Sequence, residues 1–163
     1  MLDIWSLRRD SSPGTGTKGM YWRYDWAWGL PVLVLTVVAH VWVLVLASEA
    51  LVRLAPNLKR KRNLRRSVAV LALTALGAAI LHGLEAAVWA ILYLGIGALT
   101  TVQNAMLYSL GAITSYGHAE IFLEDRWKLL GAIEAVNGLI LFGLTTAFIF
   151  TVIQDVRSHN LSS

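Results

Sequence analysis

Four ionisable side chains stand inside long apolar runs of this 163-residue sequence: His40, His82, Glu85 and Glu134. Such groups are rare in membrane-length runs and mark ion paths, proton relays or metal ligands, because each is costly to desolvate. His82 and Glu85 are three apart, as are Glu134 and Asn137, so each pair shares one face of a helix. His40, His82 and Glu85 make a donor set able to hold a transition metal, and the two histidines could hold a haem iron. Protonation of His82, Glu85 or Glu134 would instead change the charge inside the membrane. A third reading is structural: a hydrogen-bonded clamp between helices that reaches a neighbouring segment through Gln103 or Tyr108. Enzymatic activity is not expected. The sequence shows no nucleophile paired with a base, no phosphate-binding loop and no soluble domain to hold a substrate.

The elements that must position these residues are membrane helices. Apolar residues make up 56% of the chain and the mean hydropathy is +0.59, which excludes an ordinary soluble domain. Three runs, at residues 26–54, 68–96 and 127–154, each exceed the roughly 20 residues a helix needs to cross the hydrocarbon. At about 1.5 Å per residue, Glu85 lies roughly 25 Å along the second run and Glu134 roughly 10 Å into the third. His40 comes about 16 Å down the first, so all are expected in the outer half or slightly deeper. Residues 97–126 hold a short half-apolar stretch, Thr100 to Gly111, which is too short to cross and is expected to enter the membrane and turn back. A threonine can cap its first turn.

Met1 to Gly19 lacks the apolar core of a signal peptide and contains a Ser-Ser-Pro-Gly-Thr-Gly-Thr run that reads as a flexible linker. With the interface-type aromatics from Tyr21 to Trp28, residues 1–25 are expected to form an extracytoplasmic arm. Of the 14 Lys and Arg, six are Lys59, Arg60, Lys61, Arg62, Arg65 and Arg66. The positive-inside rule places that loop, residues 55–67, in the cytoplasm. The amino terminus then faces out, and residues 155–163 form a short cytoplasmic tail. The six basic side chains can also meet anionic lipid headgroups, at about 1 kcal/mol each. They account for a pI near 9.7 without a nucleic-acid partner. The chain has no cysteine, so disulfides and thiolate metal sites are excluded.

Between the second and third runs stands Ser109-Leu-Gly-Ala-Ile-Thr-Ser-Tyr-Gly-His-Ala-Glu-Ile121. Laid without a gap on the pattern S-L-x-T-x-T-T-x-G-Y-G-D-[IV], it matches at Ser109, Leu110, Thr114, Gly117 and Ile121. Ser115 for Thr and Glu120 for Asp are conservative exchanges, whereas Ala112, His118 and Ala119 depart from the pattern. Together with the Arg126-Trp127-Lys128 entry to the third run, the chain over about residues 68–154 resembles the small bacterial two-transmembrane-type potassium channel family.

The resemblance implies an all-α membrane protein with three transmembrane helices, a re-entrant pore helix and a filter-like loop. It implies a homotetramer in the bacterial inner (plasma) membrane that passes potassium or another monovalent cation and needs no further cofactor. Thr114, Ser115, Tyr116, Gly117, His118, Ala119 and Glu120 would line the filter, where backbone carbonyls replace an ion's hydration shell. Glu120, Glu124 and Asp125 would ring the outer mouth and concentrate cations. Gly138 would be a hinge or a close-packing point in the pore-lining helix. The family's channels commonly carry a similar His-x-x-Leu-Glu run, so His82 and Glu85 look structural by resemblance. Ala119 replaces a glycine of positive φ, at a cost on the order of 1–2 kcal/mol per subunit. His118 replaces the tyrosine behind the filter, so discrimination of potassium from sodium is expected to suffer. The alternative is a channel-fold protein that no longer conducts and carries an intramembrane His/Glu site for a proton, metal or haem. Gly117-His118-Ala119 is the run that separates the two.

Overall fold

The computed structural model describes residues 15–59, 64–114, 116–117 and 121–161. Helix α1 spans Thr15–Lys59, α2 Leu64–Gly95, α3 Val102–Ile113 and α4 Lys128–Leu161, and a single 3-10 turn at Asp125–Trp127 leads into α4. No strand occurs among the described residues. The three long helices are long and apolar enough to cross a membrane, over Trp22–Arg53, Ser67–Gly95 and Asp125–Val156. Leu35, Val38 and Trp42 on α1, Leu73, Leu84 and Ile91 on α2, and Leu139 and Phe150 on α4 are all exposed. Helices that are apolar all round suit a lipid surrounding rather than water.

The helices outrun the spans read from hydropathy. Helix α1 starts at Thr15, so the segment expected as a non-helical arm is helical from there on, and Trp22 packs edge-on against Trp26 one turn later at 6.1 Å. Pro31 lies within α1 without ending it, as membrane helices permit when neighbours meet the freed carbonyl. Helix α4 runs on to Leu161 through most of the expected tail. Of the basic run, Lys59 closes α1 and Arg65 and Arg66 belong to the first turn of α2, while Arg60, Lys61 and Arg62 lie outside the described residues.

The core lies where α2, α3 and α4 meet. Trp89 and Tyr93 of α2, Ala105, Tyr108 and Ile113 of α3, and Leu130 and Ile133 of α4 are buried together. Two α4 glycines seven residues apart hold α3 in place. A Cβ at Gly131 would overlap the Tyr108 hydroxyl, and a Cβ at Gly138 would overlap the Ile113 carbonyl oxygen, with Ile113 Cα only 2.7 Å away. Small residues of this kind let membrane helices approach backbone to backbone. Helix α1 stands apart from α3 and rests mainly on α4, where Gly29 meets Leu130 and Ile133. Thr101 caps α3: its Oγ1 accepts from Asn104 N at 3.2 Å, as the threonine-rich entry suggests.

Candidate functional site

Three long helices converge on Glu85. Helix α1 supplies His40, α2 supplies His82 and Glu85, and α4 supplies Thr145, all of them buried. His40 Nδ1 lies 2.6 Å from Glu85 Oε1, and His82 Nδ1 lies 3.0 Å from Glu85 Oε2. On the opposite side both imidazole Nε2 atoms lie 3.1 Å from Thr145 Oγ1. The four side chains thus close a ring: carboxylate, imidazole, hydroxyl, imidazole. The His82 ring is held flat against Phe142 of α4, with centroids 4.2 Å apart. The two imidazoles are 5.4 Å apart and share a partner on each edge, which leaves no gap between them for a porphyrin. The haem reading is therefore dropped, whereas His40, His82 and Glu85 do come together as a candidate metal set.

Glu134 and Asn137 do not join this ring. Tyr93 lies about two turns, ~12 Å, beyond Glu85 along α2, and it is Tyr93 whose hydroxyl donates to Glu134 Oε2 at 2.7 Å. Thr145 lies about three turns, ~16 Å, beyond Glu134 along α4. The expectation that these residues form one cluster is thus corrected to three separate links: the ring, the Tyr93–Glu134 pair, and a bond from Asn137 Nδ2 to Thr36 Oγ1 of α1 at 2.8 Å. Of the two residues expected to clamp the polar side chains to α3, Tyr108 lies beside the Tyr93–Glu134 pair and not at the ring. Gln103 is exposed, and Tyr108 packs edge-on against Tyr93 at 5.2 Å. Asn137 Oδ1 is buried without a hydrogen-bond partner among the described residues, and the buried Ser109 hydroxyl lies beside the Glu134 carboxyl.

Of the filter-like segment, Thr114, Tyr116 and Gly117 are described, whereas Ser115, His118, Ala119 and Glu120 lie outside the described residues. Thr114 ends α3 and its hydroxyl donates back to Leu110 O at 2.5 Å. Gly117 has φ +84°, a left-handed conformation that glycine adopts at no steric cost. Tyr116 is almost fully exposed on the single chain. Glu124 and Asp125, expected as bare mouth carboxylates, each carry a basic partner: Arg126 Nε at 2.9 Å and Lys128 Nζ at 2.6 Å. Locally their charge is balanced, and pairs this exposed contribute little to stability.

Residues that sequence reasoning passed over complete the links: Thr145, Thr36 and Tyr93. Tyr93 had a signal, since it lies two turns from Glu85 and shares its buried side of α2. A threonine in an apolar helix has none, because most such hydroxyls only bond back to the preceding turn, as Thr74, Thr146 and Thr151 do here. In comparisons with protein-family models, curated proteins and solved structures, none matched the chain.

Proposed function

We propose that the chain is one pore-forming subunit of a tetrameric membrane channel for monovalent cations, with α3 as the re-entrant pore helix and residues 114–120 as the lining. The observation that carries this reading is the seating of α3. It is a 12-residue helix, too short to span, held against α2 and the two glycines of α4. A left-handed glycine follows within a few residues. Backbone that leaves helical geometry inside a membrane must be buried in protein or line a watery cavity, and a return segment behind a short helix meets that need in a pore. The carboxyl end of α3 carries the negative pole of its dipole towards the loop, which favours a cation there.

One such loop per chain cannot enclose an axis, so four copies are required. Val102, Leu107 and Leu110 of α3 are exposed among the described residues, and neighbouring subunits would cover them. In this arrangement α1 is a peripheral brace, tied to the pore-bearing helices by the His/Glu/Thr ring and by Asn137. With Glu124 and Asp125 already paired, the attraction of cations to the mouth rests on Glu120 and on the α3 dipoles. The basic run puts the amino terminus outside and the carboxyl terminus inside the membrane.

Flux of potassium, sodium and protons into liposomes holding the purified chain tests the reading. Potassium and sodium are both expected to pass with weak discrimination. The double variant His118→Tyr, Ala119→Gly restores the Gly-Tyr-Gly run of the family pattern. It is expected to raise the preference for potassium over sodium. Tetramers that pass no cation in either form would leave a non-conducting channel fold instead.

A further inference from the structure

The ring around Glu85 does not balance if both imidazoles are neutral and the carboxylate is ionised. An ionised carboxylate only accepts hydrogen bonds, so both Nδ1 atoms must donate to Glu85. A neutral imidazole has one N–H, which makes both Nε2 atoms acceptors. They face a single hydroxyl, Thr145 Oγ1, at 3.1 Å each, and that hydroxyl has one proton to give. One of the four contacts is then acceptor against acceptor, in a place where His40, His82, Glu85 and Thr145 are all more than nine-tenths buried. With Glu85 ionised the ring is one positive charge short, and either a proton or a bound cation closes it.

We propose that the missing charge is a single divalent transition-metal ion, of zinc-like chemistry, bound by His40, His82 and Glu85, which locks α1 onto α2 and α4. With the ion on the Nδ1 side, both Nδ1 atoms are deprotonated ligands and both Nε2 atoms carry protons. Thr145 Oγ1 has two lone pairs and accepts both, so every contact in the ring is satisfied. The two imidazoles turn the same nitrogen to the carboxylate and the same nitrogen to the hydroxyl. Ligating histidines are commonly oriented in this way, by an outer acceptor on the second ring nitrogen. Here one hydroxyl serves both rings.

The ligand atoms of the three residues lie within 4.8 Å of one another. Bonds of about 2.0–2.1 Å in a tetrahedral site set ligand separations of about 3.3 Å, so movements on the order of 1 Å would close the site on an ion. Two imidazoles with a carboxylate suit zinc, and also copper and non-haem iron. No thiolate competes, because the chain has no cysteine. The site stands whether or not the pore conducts, since it joins helices that lie behind α3.

The test uses the full chain purified in detergent, stripped with a chelator, and titrated with Zn2+ and separately with Co2+. One equivalent of metal per chain is expected, with the visible absorption of low-symmetry Co2+ and a higher melting temperature in the loaded form. Glu85→Gln and His82→Ala are expected to abolish binding. Thr145→Val should weaken it by about 10- to 100-fold, because the outer hydrogen bonds are lost while the ligands stay. Replacing the other two histidines, His118 and His159, should leave it unchanged. Should His82→Ala fail to fold, Glu85→Gln and Thr145→Val decide the matter alone. Folded wild-type protein that takes up neither metal would mean that a proton closes the ring, and the proposal is overturned. Stoichiometric binding that survives Glu85→Gln, or that vanishes with His118 and His159, overturns it equally.

Discussion

Replacing Gly138 by alanine is expected to lower the thermal stability of the purified protein sharply. The added methyl would meet the backbone of Ile113 at its oxygen, Cα and carbonyl carbon, none of which can rotate aside. Forcing extra volume into a packed contact costs about 1–3 kcal/mol, and backbone obstruction belongs at the upper end or above. Gly131→Ala meets mainly the far end of Tyr108, which can shift, so its loss should be smaller. Gly143→Ala meets nothing within 4 Å and should gain stability, by up to about 1 kcal/mol from helix propensity. Heat denaturation in detergent ranks the three variants. A Gly138→Ala protein that melts with the wild type would mean that α3 is not seated on α4 as described.

The second large effect is expected from Tyr93→Phe. Glu134 is fully buried beside the Ser109 side chain, and the Tyr93 hydroxyl donates to its Oε2 at 2.7 Å. Removing one partner of a buried hydrogen bond leaves the other desolvated and unserved, at a cost of about 1–3 kcal/mol. A loss of that size is expected in the single variant. Replacing both partners by apolar groups is far less costly, so adding Glu134→Leu to Tyr93→Phe should recover most of the lost stability. If Tyr93→Phe is neutral while the protein stays folded, Glu134 does not depend on Tyr93.

Much of this arrangement could be read from residue order, but not the heights at which the helices meet. The three apolar runs, the threonine cap of α3 and the left-handed Gly117 follow from local rules of length, capping and glycine freedom. The pairing of His82 with Glu85 follows from their spacing on one helix. Counting residues measures height along a single helix and says nothing of how neighbouring helices are offset. That offset depends on contacts such as Gly138 on Ile113, which bring together residues far apart in the chain. For this reason Glu85 and Glu134, placed together by counting, turn out to belong to different layers. Thr145 was invisible for the same reason, since only the offset of α4 against α1 and α2 puts its hydroxyl between two imidazoles. The early start of α1 is not legible locally, because glycine and proline near Thr15 read as linker, whereas the membrane-length run that follows can extend a helix backwards.

If the end of α3 and the segment after it line an ion path, a bulky charged group attached there must stop the flux. The chain has no cysteine, so a single introduced thiol reports on one place. Thr114→Cys sits at the end of α3, where the filter-like segment begins, and Leu35→Cys sits on the exposed side of α1, which does not touch α3. The measurement is cation flux in liposomes before and after treatment with a water-soluble, positively charged thiol reagent. Thr114→Cys is expected to conduct and then to be blocked, while Leu35→Cys keeps its flux. Complete modification of Thr114→Cys with undiminished flux would contradict it.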